Sequence, residues 1–320
     1  MLRLTSLATG CLLLLVGTGL GAAERSRPKA PPPPPPREIR SRELMAEREG
    51  LKLRLYEKWR VGYEESWKQN GNVILLVHGA TWASRCTFDP DPERGYSLME
   101  VLADAGFDTF AVDLHGYGKS ERREDDWTDA QAAVKDIEAA VEFIRSFRWV
   151  ERVHLFGYQW GAQPVALYAM FKPQKVGKMV LLGMRWKQVE YSGAAPTVPV
   201  RTLGQQAALL KPEDGDLDSD FVRRRAQVCR AESAQAPNGA LRDLSRPSLV
   251  DPTKIRVPVL LIQGERDGSA EALADRLAFF RELGSRDKWY VVLRGMGKYA
   301  PIEREHTRFD QALLSFLTQL

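Results

Sequence analysis

The sequence is poor in the residue types that hold transition metals. It contains 3 cysteines and 4 histidines among 320 residues, and the histidines at positions 78, 115, 154 and 306 are widely separated. No pair of these residues has the short spacing of a zinc site. This excludes a metal site built on a local motif, and we expect neither a metal nor a cofactor.

The body of the chain also lacks a basic excess. Residues 61–320 carry 34 Lys and Arg against 36 Asp and Glu, whereas residues 24–60 carry 11 against 6. Nucleic-acid binding needs cations clustered on one face to displace the counterions of phosphates. The near-neutral body therefore indicates that nucleic acid is not a partner.

The N terminus has the features of an export signal. Arg3 precedes a mostly apolar run over residues 4–20, and small residues follow at positions 21–23. Such a pattern predicts a signal peptide at 1–23 and a periplasmic or extracellular protein. The alternatives are an uncleaved membrane anchor, which would confine membrane contact to the N-terminal segment, and a lipoprotein signal ending at Cys11.

Two cysteines, Cys86 and Cys229, remain after removal of the signal. An exported protein meets an oxidising compartment, so the two can form a disulfide. We nevertheless expect separate thiols, because one lies near an early loop and the other in a late insertion.

A charged, proline-rich linker is predicted at 24–50. It contains six consecutive prolines at 31–36, which favour an extended polyproline II spacer of roughly 19 Å. An SH3-type ligand is the alternative for such a segment.

The rest of the chain, 51–320, alternates strand and helix patterns. Alternation of this kind predicts an α/β fold with a mostly parallel central sheet and helices on both faces. The strand patterns cover 51–57 as an antiparallel edge, 61–66, 72–79, 109–113, 152–158, 178–183, 257–264 and 289–293, and the helical patterns cover 96–105, 130–146 and 304–320.

This alternation stops between about 185 and 256. A structureless loop of that length is improbable in a compact domain, so an inserted cap is predicted there, with a helix over 218–232. The run Arg223-Arg224-Arg225 within it is interpreted as a solvated helix face rather than a ligand site.

Five short motifs follow the strands in an order that resembles the α/β-hydrolase superfamily. The resemblance covers 51–320, and the motifs are His78-Gly79-Ala80, the run 113–120 that begins at Asp113, Gly157-Tyr158-Gln159-Trp160-Gly161, the run 264–267 that ends at Asp267, and Gly295-Met296-Gly297-Lys298. Members of this superfamily place a serine in the third motif, an acid in the fourth and a histidine in the fifth.

The resemblance implies that Gln159, Asp267 and Lys298 occupy the triad positions. A carboxamide is not a usable nucleophile, and an ordinary lysine is protonated near neutral pH, so the serine and the histidine have been replaced. We expect Lys298 to neutralise Asp267 and Gln159 to hydrogen-bond beside them, as a structural network.

The resemblance also implies that the backbone N–H groups of Ala80 and Trp160 form an oxyanion hollow. Without a nucleophile, such a hollow can still bind a carbonyl or a carboxylate. The alternative is that the Gln159 side chain fills it.

Other residues are candidates for a displaced catalytic group or for pocket lining. His306 is a candidate substitute base and Cys86 a candidate nucleophile, whereas His78 and His115 are expected to be structural. Trp82, Trp160 and Trp186 are candidates for lining the pocket or for packing alone.

The leading hypothesis is an exported α/β-hydrolase-fold protein that binds a small ligand or a protein partner without catalysis. The alternative is a hydrolase of an ester or similar carbonyl substrate that uses Asp267 and Lys298, since burial lowers the pKa of a lysine. A structural envelope protein is a third hypothesis.

Overall fold

The computed structural model describes residues 37–123, 127–189, 191, 193–204, 215–232 and 234–319. The predicted signal peptide at 1–23 and the prolines at 31–36 lie outside these residues. The described residues belong to one compact unit that spans 36–320.

An eight-stranded, mostly parallel sheet forms the centre of the fold, and a mostly parallel central sheet is what the sequence predicted. Its spatial order is β1-β2-β4-β3-β5-β6-β9-β10. The strands are β1 (Ile39–Arg48), β2 (Leu51–Arg60), β3 (Val73–Val77), β4 (Asp108–Val112), β5 (Val153–Tyr158), β6 (Val176–Leu182), β9 (Val259–Gly264) and β10 (Lys288–Leu293). The pairs from β4 to β10 are parallel, whereas β1 and β2 join the sheet by antiparallel pairing.

Helices cover both faces of this sheet, which confirms the predicted α/β-hydrolase architecture. Two large apolar clusters lie one on each side, the first against α4, α5 and α8 and the second against α3 and α9. The helices are α1 (Glu64–Asn70), α2 (Ser84–Phe88), α3 (Leu98–Asp104), α4 (Ala130–Arg148), α5 (Ala162–Phe171), α6 (Ser219–Glu232), α7 (Gly239–Leu244), α8 (Ala270–Glu282) and α9 (Thr307–Thr318).

Between β6 and β9 the chain leaves the central sheet. The described part of this segment contains α6, α7 and a small antiparallel pair formed by β7 (Val200–Thr202) and β8 (Gln235–Pro237). Residues 205–214 lie outside the description.

Two predictions near the start of the body are wrong. Residues 39–48, assigned to the linker, form the edge strand β1, which pairs with the whole length of β2 through a two-residue turn at Glu49-Gly50. Residues 61–66, predicted as a strand, form a turn and the start of α1, because Gly62 has φ 92° and the acidic Glu64 caps its N–H at 2.7 Å.

Within the described residues, no helix combines the length and the apolar character that a bilayer crossing requires.

Candidate active site

The chain turns sharply from β5 into α5 at Gln159. This residue has φ 50°, a left-handed conformation that a non-glycine residue rarely adopts. The flanking glycines are required by close packing: a Cβ at Gly157 would lie 2.5 Å from Ala162 Cα, and one at Gly161 would lie 2.2 Å from His78 O. The chain therefore keeps the strained elbow that presents the nucleophile in serine hydrolases, although the residue presented is glutamine.

Two backbone N–H groups beside the elbow bear on the oxyanion hollow that the resemblance implies. Within the described part of the chain, neither the Ala80 N–H nor the Trp160 N–H donates a hydrogen bond. The Ala80 carbonyl is held by Tyr117 Oη at 2.9 Å and Arg201 Nη2 at 2.6 Å, and the Trp160 indole donates to Asp243 at 3.1 Å. The loop and the elbow are thus fixed by other groups, which leaves both N–H groups available to a developing oxyanion.

The Gln159 carboxamide links the elbow to the loop after β10. Its Nε2 donates to Tyr158 Oη at 3.1 Å, and this hydroxyl donates to the backbone carbonyl of Lys298 at 3.2 Å. Burial raises the pKa of Tyr158 well above its ordinary value, so the hydroxyl remains a proton donor. The carboxamide oxygen lies on the side of Gly79, 3.6 Å from where a Cβ on that glycine would be.

Asp267 lies beside Gln159, across Gly183. A Cβ on Gly183 would stand 3.2 Å from Asp267 Oδ2 and 3.6 Å from Gln159 Cγ. The backbone of Gly183, with φ 69°, therefore fits between the two side chains only because it carries no Cβ.

The expected pairing of Asp267 with Lys298 is wrong. Arg276, which is 1% exposed, donates from Nη2 to Asp267 Oδ2 at 2.8 Å and from Nη1 to the Asp267 carbonyl at 2.6 Å. Arg185 Nη2 lies 3.8 Å from the other carboxylate oxygen. The physical reason is that α8 starts just after Asp267 and brings a buried guanidinium back onto it, and a guanidinium forms several hydrogen bonds where an ammonium forms fewer.

Lys298 is half-buried at the same edge of the sheet. Its Nζ lies 5.1 Å from the centre of the Tyr299 ring, and its carbonyl accepts the hydroxyl of Tyr158. The structure therefore brings the loops that carry Gln159, Asp267 and Lys298 together, as parallel strands do at their carboxyl ends. The residue that neutralises Asp267, however, is Arg276.

Cys86 is no candidate nucleophile, because it forms a disulfide with Cys229. The two Cα atoms are 5.2 Å apart, and the bond joins α2 to α6 across 143 residues of sequence. The expectation of separate thiols is thus wrong. Sequence separation concealed the pairing, since only the folding of α6 back over the loop after β3 brings the two residues together.

The histidines have structural partners. His306 Nδ1 contacts Asp310 Oδ2 at 2.8 Å, one helical turn away, which places it in a local pair. His115 is buried against Asp136 at 2.6 Å. His78 accepts the Leu114 N–H at 3.2 Å, and burial lowers its pKa to about 4, so it is neutral.

The three tryptophans differ in position. Trp160 and Trp186 are buried, and the Trp186 indole donates to Val250 O at 2.8 Å, so both pack within the fold. Trp82 is half-buried, and its ring faces the Arg225 guanidinium at 5.9 Å.

Sequence reasoning missed Arg225. The interpretation of the arginine run as a solvated face holds for Arg223, whereas Arg225 is 2% exposed. Phe221 and Cys229, four residues to either side, are also buried. This i, i+4 spacing on one helix face was the available signal. Among the described residues, no group of three or more His, Cys, Asp or Glu side chains is arranged to hold a metal ion.

A family model described as serine aminopeptidase, S33, matches residues 68–297. The chain belongs to this family. A relative that is 32% identical over 286 residues is the 2-hydroxy-6-oxononadienedioate/2-hydroxy-6-oxononatrienedioate hydrolase of Paraburkholderia phymatum, with 81% of this chain and 91% of that protein aligned. The enzyme of the same name from Pseudomonas putida is 32% identical over 107 residues, a match that spans only 34% of its length.

Solved structures agree on the fold of this S33 family member. The meta-cleavage product hydrolase of Pseudomonas fluorescens superposes with a TM-score of 0.63 at 16% identity, covering 85% of this chain and 96% of that one. At this sequence identity, the structural similarity shows only that the two proteins share a fold.

The relatives overturn the leading hypothesis of a non-catalytic binding protein. The S33 family is described as a peptidase family, and the relative aligned over most of its length is named as a hydrolase. These findings point to an enzyme. The replacement of the serine and the histidine is therefore not sufficient to show that catalysis has been lost.

Proposed function

We propose that the protein is a hydrolase that cleaves an ester or a similar carbonyl substrate at the elbow of β5, with water as the nucleophile. The observation that carries the proposal is the elbow itself. Gln159 keeps φ 50°, and the N–H groups of Ala80 and Trp160 have no partner within the described part of the chain. An elbow that served only as packing would have no need of this strain.

Each group has one role in the proposed reaction. The substrate carbonyl oxygen accepts hydrogen bonds from the N–H groups of Ala80 and Trp160, which stabilise the tetrahedral oxyanion. The Gln159 carboxamide orients a water molecule whose oxygen attacks the carbonyl carbon. The Lys298 amine takes the water proton and returns it to the leaving alkoxide as the acyl–oxygen bond breaks.

Asp267 is a positioning residue in this scheme. Arg276 donates to its carboxylate at 2.8 Å and Arg185 lies 3.8 Å from the other carboxylate oxygen, so two cations hold this side chain in place. Asp267 lies between α8 and Gly183 and so forms one side of the space that the Gln159 side chain occupies. The relative from Paraburkholderia phymatum, named for an oxo-dioate, supports a small organic substrate.

The test is hydrolysis of 4-nitrophenyl butyrate by the purified full chain. We expect turnover above a heat-treated control, and a fall of about 10²-fold or more in kcat for Lys298→Met and for Gln159→Leu, the range for loss of general acid–base groups. Lys254→Met is the matched control, because Lys254 is an exposed lysine paired locally with Asp251.

A fluorophosphonate probe separates this mechanism from a displaced serine nucleophile. Water as the nucleophile predicts no labelling. Stoichiometric labelling of one residue, full activity of Lys298→Met, or absence of turnover across esters of different length would each contradict the proposal.

Export of the enzyme is part of the same proposal. The disulfide between Cys86 and Cys229 supports it, because disulfides persist in oxidising compartments and are rare in the cytosol. The apolar run at 4–20 supports it independently.

A further inference from the structure

Trp149, between α4 and β5, combines backbone strain with an exposed ring. It has φ 56° and ψ 43°, the left-handed conformation in which helices usually end on glycine. The residue is 85% exposed, so packing of its ring against the described residues does little to offset the strain. A strained residue that adds little to the packing of the fold points to a function.

A cavity of about 560 Å³ with cations in its lining lies beside Trp149. The exposed side chains of Lys68, from the last turn of α1, and Arg152, from the loop before β5, line it together with Trp149 and one acid, Glu151. Tryptophan is favoured at the interface between membrane and water, and lysine and arginine are attracted to anionic lipids. The lining therefore combines the two kinds of side chain that bind an anionic membrane surface.

The amino ends of the six parallel strands carry an excess of positive charge. The segments that run from the last helical turn before each strand to the strand itself contain 10 Lys and Arg against 4 Asp and Glu. We call these segments the basic edge, and they are residues 67–72, 101–107, 145–152, 168–175, 252–258 and 279–287. Because residues 61–320 as a whole are near neutral, the cations are concentrated on one edge, as attraction to an anionic surface requires.

A second exposed aromatic ring and the start of the described chain lie at the basic edge. Phe171, the last residue of α5 before β6, is 61% exposed. Arg37, the first described residue, pairs at 2.8 Å with Asp104, which ends the helix before β4. Residues 1–36 are therefore joined to the body at this edge. The uncleaved anchor that the sequence leaves as an alternative would tether the same edge to a bilayer.

The basic edge is at the opposite end of the sheet from the elbow. Trp149 precedes β5 and Gln159 follows it, so the 6 residues of β5 lie between them. A strand of this length spans about 20 Å. A surface bound at the basic edge therefore does not cover the elbow.

We propose that the basic edge docks onto an anionic phospholipid bilayer, with the Trp149 ring in the headgroup region and with Lys68 and Arg152 against lipid phosphates. A soluble acidic polymer would match the cations alone. A bilayer matches the cations, the two exposed aromatic rings and the place where the N-terminal segment joins the body. The docking goes beyond the proposed hydrolase function and does not depend on it.

The first test is sedimentation of the full chain with vesicles of phosphatidylcholine alone or of equal parts phosphatidylcholine and phosphatidylglycerol. We expect binding that favours the anionic vesicles and weakens as salt is added. Lys68→Gln with Arg152→Gln should lower the partition coefficient by about 5-fold for each cation removed. Arg122→Gln with Arg123→Gln, which removes two exposed cations after β4 at the other edge, should leave it unchanged. The N-terminal segment is the same in every variant, so these differences report on the body.

The variant Trp149→Gly separates a docking residue from a structural one. Glycine adopts φ 56° without strain, so the unfolding temperature should not fall. Binding to anionic vesicles should fall by about 10-fold or more, because the apolar area of the ring is lost. Lipids brominated on their acyl chains should quench the tryptophan fluorescence of the native chain more than that of the variant. Val198→Ala, at an exposed apolar residue before β7, should change neither binding nor quenching.

The possible outcomes are distinct. Equal binding to neutral and anionic vesicles, or unchanged binding of Trp149→Gly, would overturn the proposal. Tighter binding to polyglutamate than to anionic vesicles would replace the bilayer with an acidic polymer. A dimer in sedimentation velocity that Trp149→Gly dissociates would replace it with a second copy of the chain. Trp149→Gly should hydrolyse 4-nitrophenyl butyrate at the native rate, and absence of hydrolysis by both proteins would contradict the proposed function alone.

Discussion

At the scale of single residues, the carboxylate of Asp267 depends on the guanidinium of Arg276. Both side chains are buried and their ion pair measures 2.8 Å. We expect Arg276→Met to lower the free energy of unfolding by about 3 to 5 kcal/mol, because among the described residues only Arg185, at 3.8 Å, would then remain to pair with the buried carboxylate. Urea denaturation of the variant and the native chain measures this difference.

A double-mutant cycle checks that the two residues act as a pair. Arg276→Met combined with Asp267→Asn should cost much less than the sum of the single changes. The matched cycle of Lys298→Met with Asp267→Asn should be additive. Coupling in the second cycle and additivity in the first would show that the acid is held by Lys298 after all.

The sequence located this carboxylate but not its partner. The order of motifs along the chain was enough to assign Gln159, Asp267 and Lys298 to one edge of the sheet. Whether Arg276 or Lys298 pairs with Asp267 depends on which face of α8 packs against the sheet. That face is decided by packing against Met184, whose carbonyl accepts Arg276 Nε at 3.0 Å.

At the scale of elements, the elbow between β5 and α5 requires its two glycines. We expect Gly157→Ala and Gly161→Ala each to destabilise the fold by about 1 to 3 kcal/mol or more, because the added Cβ meets backbone atoms that cannot move aside. Thermal unfolding followed by circular dichroism measures the effect.

Gly204→Ala provides the control for the elbow glycines. A Cβ at Gly204 meets nothing within 4 Å, so this change should leave the unfolding temperature within error of the native value. An elbow variant as stable as Gly204→Ala would mean that the turn can open without cost. The elbow would then not hold the Trp160 N–H rigidly enough to stabilise an oxyanion.

Elements differed in how well their sequences revealed them. The buried strand β5 and the long helix α4 have clear apolar patterns and were predicted closely. The edge strand β1 was missed, because its residues are mostly polar and exposed, and its existence depends on pairing with β2. A strand held mainly by a neighbour's backbone leaves little trace in its own sequence.

At the scale of the whole molecule, buried neutral histidines make stability depend on pH. Burial lowers the pKa of His78 and of His154 to about 4, from 6.5. The unfolded chain therefore binds these protons first as the pH falls. Stability should be unaffected by these groups above about pH 6.5 and lost between pH 6.5 and 4, by about 3 kcal/mol for each histidine at about 1.36 kcal/mol per pKa unit.

The variant His154→Asn isolates one of these contributions. An asparagine oxygen can replace His154 Nδ1 as acceptor of the Lys178 N–H, which lies at 2.8 Å. The native chain should lose stability relative to this variant as the pH falls from 6.5 to 4. Comparison within the pair is needed because burial raises the pKa of Asp113, which acts in the opposite direction. Parallel stability curves for the two proteins would contradict the assigned pKa of His154.

The sequence by itself determined the superfamily, the mostly parallel sheet with helices on both faces, and the motifs that carry Gln159, Asp267 and Lys298. Apolar periodicity and glycine-rich turns are local properties, so they can be read along the chain. The tertiary structure alone decided the pair of Asp267 with Arg276, the disulfide between Cys86 and Cys229, and the burial of Arg225. Each of these depends on how elements distant in sequence pack against one another, and a local sequence pattern does not determine that packing.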